Sequence, residues 1–214
     1  MATMTVREQS ILQVTGNTLR TAGRAIPILG KISEPLILIL EHVLSHAECD
    51  ALIGLARDRM RRARTGRSRA LSDVRTGSGA FLEENENEWV RAIELRLAGL
   101  MGVPAAHAEP LQILHYRPGE EYRPHLDYFM AEQVANNRIS TLVMYLNDVE
   151  EGGETVFPSL RLAVTPKKGN AVYFEYFYGD PRLNELTLHG GSPVAAGEKW
   201  IATQWMRRQR YREL

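Results

Sequence analysis

The sequence is poor in cysteine, in net charge and in long apolar runs. A single cysteine, Cys49, excludes an internal disulfide framework and is typical of a reducing compartment. Lys+Arg and Asp+Glu each number 26, and a net charge of zero argues against a dedicated nucleic-acid-binding protein. No apolar run approaches the roughly 18 residues of a membrane span, and no secretory signal pattern is present. We therefore expect a cytoplasmic protein whose partners include neither nucleic acid nor membrane.

The length of 214 residues suits one domain with a substantial core. Residues 1–33 mix polar residues with scattered apolar ones, which predicts an N-terminal arm that is either a short helix or partly disordered. Such an arm is also a candidate for pairing subunits in a homodimer. Residues 34–214 are predicted to form a single domain.

The first half of this domain predicts a strand followed by helices. Residues 36–40 are a buried-strand pattern, Leu-Ile-Leu-Ile-Leu. Ser45 and Glu48 have the spacing of a capping box, which predicts that a helix begins here. Residues 89–100 carry apolar residues at helical spacing and predict a second helix.

Short strands dominate after Pro104. The predicted strands cover residues 111–116, 140–146, 162–165, 170–177 and 199–206. Several short strands after two helices predict an α+β fold with a β-barrel or double-sheet jelly roll, against which the N-terminal helices pack.

Arginine is dense over residues 57–69. We interpret this stretch as a solvated helix end and loop, with a binding patch as the alternative. The acidic run at residues 83–88 lies nearby in the sequence and is a candidate to neutralise part of it.

Two histidines and an aspartate are the candidate metal ligands. His125 and Asp127 are two residues apart, so on an extended segment their side chains point the same way. With His189 they would form the facial triad of non-haem Fe(II) oxygenases, which leaves coordination positions open for oxygen and a chelating cosubstrate. A zinc site with two histidines and a carboxylate is the alternative.

Lys199 is the candidate cosubstrate cation. A chelating cosubstrate such as 2-oxoglutarate has a second carboxylate, which needs a fixed positive charge. Lys199 opens the last predicted strand, ten residues after His189. The alternative is an exposed lysine at a strand end.

The sequence resembles the prolyl 4-hydroxylase family of Fe(II)/2-oxoglutarate-dependent dioxygenases over about residues 34–207. Four stretches carry the resemblance: Arg75-Thr76-Gly77-Ser78-Gly79; residues 111–116 with 122–129; residues 144–158; and residues 188–194 with 197–200. The sequence departs from the family pattern at Gly77 and over residues 172–184, which are expected near the substrate cleft.

The resemblance implies a double-stranded β-helix (jelly-roll) core that uses Fe(II), 2-oxoglutarate and O2, with ascorbate as reductant. By position, Tyr116, Thr141 and Lys199 would hold 2-oxoglutarate. Arg75, Tyr122 and Trp205 would contact the substrate, with Arg75 in a mobile loop. For Tyr116, Thr141 and Trp205, ordinary strand packing is the alternative. No catalytic residue beyond the metal ligands is implied.

The leading functional hypothesis is hydroxylation of prolyl residues in a peptide or protein, with succinate and CO2 as coproducts. A groove lined by tyrosines would suit an extended proline-rich ligand. One alternative is hydroxylation of a free amino acid or another small molecule. The other is a non-catalytic module that binds metal or peptide on the same scaffold.

Overall fold

A computed structural model of the chain describes residues 9–21, 24–62, 64–65, 70–71, 74–130 and 134–213. The strands are β1 (Thr18–Thr21), β2 (Arg24–Ser33), β3 (Leu36–Leu40), β4 (Arg61–Arg62), β5 (Arg64–Thr65), β6 (Ala70–Leu71), β7 (Ser78–Phe81), β8 (Gln112–Tyr116), β9 (Tyr122–His125), β10 (Arg138–Tyr145), β11 (Glu151–Gly152), β12 (Thr155–Phe157), β13 (Leu162–Val164), β14 (Ala171–Glu175), β15 (His189–Gly191), β16 (Val194–Ala196) and β17 (Lys199–Arg207). The helices are α1 (His46–Arg57), α2 (Glu88–Leu100) and α3 (Pro181–Glu185), with 3-10 turns at Ala105–His107 and Pro158–Leu160. The fold is therefore mostly β, and the longer predicted strands are present within a few residues of their expected bounds.

Two antiparallel sheets organise the chain. The larger has nine strands in the order β1-β2-β3-β14-β10-β17-β8-β7-β4, and the smaller has the order β13-β12-β15-β9. Short pairs β11-β16 and β5-β6 are additional. Because side chains alternate along a strand, each face of the large sheet contributes to a separate apolar cluster.

The alternation is clearest on β10, in the middle of the large sheet. Leu142 and Met144 belong to the cluster that also contains buried residues of α1 and α2. Val143 and Tyr145 belong to the second cluster, together with Phe157 of β12 in the small sheet. Buried residues of α1 and α2 therefore belong to the apolar cluster on one face of the large sheet, and Phe157 of the small sheet belongs to the cluster on the other face.

Helix α1 begins as the sequence predicted. The Ser45 side chain accepts a hydrogen bond from the Glu48 backbone N–H, and the Glu48 side chain accepts one from the Ser45 N–H. These two bonds satisfy backbone donors that the first helical turn leaves without partners. The predicted capping box is confirmed. None of the helices in the described ranges is long and apolar enough to cross a membrane.

The prediction of a separate N-terminal arm over residues 1–33 is wrong for residues 18–33. Strand β2 pairs with β3 from Ser33↔Leu36 to Ile28↔Leu40, and β1 pairs with β2, so the hairpin extends the large sheet. The sequence pattern was weak because β2 alternates mainly between exposed and partly buried positions and has only Ile26 fully buried. Residues 1–8 lie outside the described ranges, so the prediction stands untested there.

The arginine-rich stretch is partly neutralised. Arg59 donates from Nη1 and Nη2 to the two carboxylate oxygens of Glu86, at 2.8 and 2.7 Å. Arg61 and Arg62 are exposed on the edge strand β4. Residues 63 and 66–69 lie outside the described ranges, so the interpretation as a solvated stretch has support only at its beginning.

Candidate active site

A pocket opens between the two sheets. Its walls come from the small sheet, the strands β8 and β17 of the large sheet, and the loops beside them. The lining includes His125, Asp127, His189, Lys199, Tyr116, Thr155, Arg75, Tyr122 and Trp205. All but one of the predicted site residues therefore lie in one place.

The three predicted metal ligands meet at one end of the pocket. His125 ends β9, and His189 begins β15 directly opposite it in the strand register. Asp127 lies in a bend just after β9, not on the extended segment that the sequence predicted. One candidate ligand atom from each residue lies within 4.8 Å of the others. His125 Nε2 is 3.4 Å from Asp127 Oδ1, and His189 Nε2 is 3.6 Å from Asp127 Oδ2.

Backbone carbonyl groups orient both imidazoles. His125 Nδ1 lies 3.0 Å from the Arg123 carbonyl oxygen, and His189 Nδ1 lies 3.0 Å from the Thr187 carbonyl oxygen. A carbonyl can only accept, so each Nδ1 carries the hydrogen and each Nε2 keeps its lone pair. Burial lowers the pKa of His189 to about 4, with a smaller contribution from the nearby His125, so this ring is neutral at pH 7. Neutral imidazoles with Nε2 aimed at a carboxylate are suitable metal ligands.

Asp127 is held by two donors. Thr141 Oγ1 donates to Asp127 Oδ2 at 2.7 Å, and Trp205 Nε1 donates to the same oxygen at 3.0 Å. Burial raises the pKa of this carboxyl, but the electrostatic interaction with His189, the hydrogen bond and electrostatic interaction with His125, and the charge of Arg138 together bring it well below its usual range. Asp127 is therefore an oriented carboxylate. The donor set fits Fe(II), because two imidazoles and one carboxylate form the facial triad.

The structure puts Thr141 beside Asp127 and not among the residues that line the pocket, in contrast to the predicted contact with 2-oxoglutarate. Thr141 lies on β10 and faces Trp205 of β17 across the strand pair. The side chain is fully buried, and its only hydroxyl hydrogen is used by Asp127. Thr141 lies on the same face of β10 as Val143, which lines the pocket, but its position along the strand puts the hydroxyl beside Asp127 and not at the Lys199 end.

Lys199 occupies the other end of the pocket, where it is only 3% exposed. It is the first residue of β17 and faces Tyr116 of β8. Burial lowers the pKa of Lys199 to about 8, against the opposing influence of Glu154. No ion pair joins Lys199 to a carboxylate in the described part of the chain. A buried ammonium without a counter-ion is unfavourable, so this end of the pocket fits the distant carboxylate of 2-oxoglutarate.

Thr155 is a site residue that our sequence reasoning missed. It lines the pocket from β12, and its hydroxyl accepts a hydrogen bond from Tyr145 at 2.8 Å. Since the Tyr145 hydrogen occupies one lone pair, the Thr155 hydroxyl hydrogen remains available to an acceptor in the pocket. Thr155 lies within the long matched stretch at residues 144–158, which was the available signal.

Arg75 is buried in the pocket wall and is only 5% exposed, which differs from the mobile surface loop that the resemblance implied. Its guanidinium carbon lies 4.6 Å from the centre of the Tyr122 ring, which stacks on His125 with centroids 3.6 Å apart. Arg75 also donates to the Tyr116 hydroxyl at 3.4 Å and to Gln112 Oε1 at 3.2 Å. All these partners are uncharged.

The departure from the family pattern at Gly77 has a steric cause. A Cβ atom at this position would lie 2.5 Å from the Tyr116 ring and 2.7 Å from the His115 carbonyl oxygen. Both distances are well below van der Waals contact, so only glycine allows Tyr116 its position beside Lys199.

Trp205 has two contacts that explain its position. Its indole N–H donates to Asp127, and the Arg138 guanidinium carbon lies 3.9 Å from the centre of its ring. Arg138 in turn forms a two-pronged ion pair with Glu109 at 2.6 and 2.8 Å. Trp205 therefore contributes to the metal end, in addition to any contact with substrate.

The chain is similar to known proteins in both sequence and fold. A model for the 2OG-Fe(II) oxygenase superfamily matches residues 111–207. The chain is 40% identical over 200 residues to a probable prolyl 4-hydroxylase 3 of Arabidopsis thaliana, covering 81% of this chain and 69% of that protein. It is 30% identical to a viral collagen prolyl hydroxylase from Paramecium bursaria Chlorella virus-1, solved with 2-oxoglutarate, with a TM-score of 0.66 and coverage of 80% of this chain and 95% of that one.

A structure with lower sequence identity resembles this chain in fold alone. A Trichoplax adhaerens prolyl hydroxylase, solved with a fragment of hypoxia inducible factor, is 17% identical with a TM-score of 0.58, covering 79% of this chain and 82% of that one. These structures confirm the predicted jelly-roll β core. The chain therefore belongs to the prolyl 4-hydroxylase family of Fe(II)- and 2-oxoglutarate-dependent dioxygenases.

Proposed function

We propose that this protein hydroxylates prolyl residues in a peptide or protein. The observation that carries the proposal is one pocket with two distinct ends. One end holds two imidazoles and a carboxylate, and the other holds a buried ammonium without a carboxylate partner. Fe(II) fits the first end and 2-oxoglutarate fits the space between the two ends.

The metal would be held by Nε2 of His125, Nε2 of His189 and Oδ1 of Asp127. When bound, Fe(II) and 2-oxoglutarate supply the oxidising chemistry, in which O2 converts 2-oxoglutarate to succinate and CO2 and leaves one oxygen atom for the substrate. The side chains of this chain supply orientation and exclude water. None is needed as a nucleophile or general base.

The distant carboxylate of 2-oxoglutarate would bind Lys199, Thr155 and Tyr116. Lys199 supplies the charge, and Thr155 supplies a hydroxyl hydrogen for which the described residues provide no acceptor. Tyr116 faces Lys199 across the strand pair, and its hydroxyl already accepts from Arg75, so its own hydrogen is directed elsewhere. Three donors around one carboxylate are a strong and specific arrangement.

The substrate would enter past Arg75, Tyr122 and Trp205. Arg75 has five N–H groups, of which Tyr116 and Gln112 use two. The remaining N–H groups are suited to the carbonyl oxygens of a peptide, which carry no charge.

The uncharged surroundings of Arg75 also favour a second candidate function. Since Arg75 has no carboxylate partner among the described residues, its guanidinium would be suited to the carboxylate of a free amino acid, so hydroxylation of a free amino acid is the alternative. The two functions make different demands on the substrate: the first needs a peptide carbonyl and the second a free carboxylate.

The test measures succinate formed from 2-oxoglutarate with Fe(II) and ascorbate, in the presence of a proline-rich peptide, free proline or neither. Release stimulated by the peptide, with a mass gain of one oxygen atom on the peptide, would establish the proposed function. Stimulation by free proline alone would establish the alternative. Peptide binding without turnover would instead support a non-catalytic module.

Three further predictions from the sequence stay proposals. We propose that α1 and α2 support the large sheet, since their buried residues share one apolar cluster with it. The cytoplasmic location and the homodimer also stay predictions.

A further inference from the structure

The segment directly after β14 contains a tyrosine whose hydroxyl lies near the metal end of the pocket. Tyr176 directly follows β14, within the segment where the sequence departs from the family pattern, and is only 2% exposed. Its hydroxyl oxygen lies 2.7 Å from Thr141 Oγ1. Its backbone N–H donates to the Ile139 carbonyl at 3.0 Å, which ties Tyr176 to β10.

The direction of these hydrogen bonds follows from the chemistry of the groups. Asp127 is a carboxylate and can only accept, so the single Thr141 hydroxyl hydrogen points to Asp127 Oδ2. Tyr176 must then donate to Thr141. The three groups form a chain in which Tyr176 donates to Thr141 and Thr141 donates to Asp127.

This series of hydrogen bonds determines which carboxylate oxygen of Asp127 is available to a metal ion. Oδ2 accepts from both Thr141 and Trp205 and lies 3.6 Å from His189 Nε2, whereas Oδ1 accepts from neither donor and lies 3.4 Å from His125 Nε2. A carboxylate fixed in this way presents one oxygen to a metal and keeps the other in hydrogen bonds. Groups that orient a metal ligand in this manner commonly change metal affinity by about 10- to 100-fold when they are removed.

We propose that Tyr176 is a positioning residue for the metal site, which acts through Thr141 to hold Asp127 with Oδ1 toward the metal. The proposal deepens the proposed function and rests on it for the identity of the site, but it concerns metal binding alone. It does not depend on which substrate is hydroxylated.

A packing role is the competing explanation. The Tyr176 ring lies 5.7 Å from the Tyr128 ring and 5.9 Å from the Phe174 ring, centroid to centroid. Phenylalanine at position 176 would preserve these ring contacts. The two explanations therefore differ in what the loss of the hydroxyl alone would do.

The experiment is a Co²⁺ titration of the full-length protein without cosubstrate, followed by the visible absorption of the bound ion, together with thermal unfolding. Tyr176→Phe should weaken Co²⁺ binding by about three- to tenfold, and Thr141→Val, which removes the donor to Asp127 itself, by about 10- to 100-fold. Thr141→Ser keeps the hydroxyl and should restore binding close to that of the wild type.

Tyr173→Phe is the matched control. Tyr173 lies on β14, is 1% exposed, and its hydroxyl donates to Glu175 and not toward Asp127. This variant loses an equally buried hydroxyl and should bind Co²⁺ like the wild type. Wild-type Co²⁺ affinity in Tyr176→Phe would overturn the proposal, and so would an equal loss of affinity in Tyr173→Phe. A wild type that binds Co²⁺ but hydroxylates no prolyl peptide would count against the proposed function only.

Discussion

The two ends of the pocket are prepared in opposite ways. At the metal end, Asp127 already has two hydrogen-bond donors and both histidines are oriented by carbonyl groups. At the cosubstrate end, Lys199 is buried without a carboxylate partner in the described part of the chain, and Thr155 retains an unused donor. The groups of the metal end are therefore oriented by hydrogen bonds within the protein, whereas the cosubstrate end is suited to binding an anion.

This difference predicts that substitutions at the metal end reduce metal affinity, while substitutions at the cosubstrate end reduce affinity for 2-oxoglutarate. It also predicts opposite effects on stability. Removing a satisfied polar group destabilises the fold, whereas removing an unpaired buried charge does not.

The largest effect is expected for His125→Ala. Loss of a ligand should lower turnover by more than about a hundredfold, since even groups that only orient ligands commonly contribute 10- to 100-fold. Succinate release and Co²⁺ titration should fall together. Turnover that survives at saturating Fe(II) would remove His125 from the metal site.

Lys199→Met should raise the 2-oxoglutarate concentration needed for half-maximal turnover by about a hundredfold or more, because the distant carboxylate loses its charge partner. Methionine fills a similar volume without the charge, so the melting temperature should stay the same or rise. An unchanged 2-oxoglutarate requirement would exclude Lys199 as the cosubstrate cation. A large fall in melting temperature would contradict the comparison between the two ends.

The affinity for 2-oxoglutarate should weaken as the pH rises above about 8. Burial lowers the pKa of Lys199 to about 8 from its usual 10.5, so the ammonium is charged below this pH and neutral above it. Since the unfolded chain keeps this proton up to its higher pKa, Lys199 should also make the ligand-free protein more stable as the pH rises from about 8 to 10.5. Binding measured by titration at several pH values tests this, with Lys199→Met as the variant that should lack the dependence.

The smallest effects distinguish two threonines. Thr155→Val should raise the 2-oxoglutarate requirement by about fivefold, which corresponds to one lost hydrogen bond of about 1 kcal/mol. Thr155→Val should leave the Co²⁺ affinity unchanged. Thr141→Val should instead weaken Co²⁺ binding and, at saturating metal, leave the 2-oxoglutarate requirement unchanged. If both variants change both the Co²⁺ affinity and the 2-oxoglutarate requirement, the two ends of the pocket are coupled and the distinction between them is wrong.

The threonines also show the limit of sequence reasoning. The stretches around His125, His189 and Lys199 were sufficient to predict residues that the structure brings together in one pocket, because the matched stretches are together far more specific than the isolated residues. The choice between Thr141 and Thr155 was not predictable, because it depends on which end of the pocket each strand brings its threonine to. A prediction of residue type and approximate place was possible, but the position of each residue along the pocket needed the structure.

Long-range contacts could not be predicted from the sequence for a different reason. Tyr176 and Thr141 are 35 residues apart in the sequence, and their hydrogen bond exists only because β10 and β14 pair in one register. Arg75 could not be distinguished from a surface arginine, because its partners Gln112, Tyr116 and Tyr122 lie far along the chain. Local patterns predict elements, while these contacts depend on how the elements assemble.

The N-terminal hairpin has a consequence for the behaviour of shortened chains. Strand β3 is almost entirely buried and apolar, and on one side it is covered only by β2. A protein that begins at residue 34 would present β3 as a free edge with unpaired backbone groups, and such edges recruit strands from other molecules. It would also leave the buried Glu175 carboxylate without the N–H donors of Ile11 and Leu12. Shortening this chain to its family-matched portion is therefore expected to give an aggregation-prone protein.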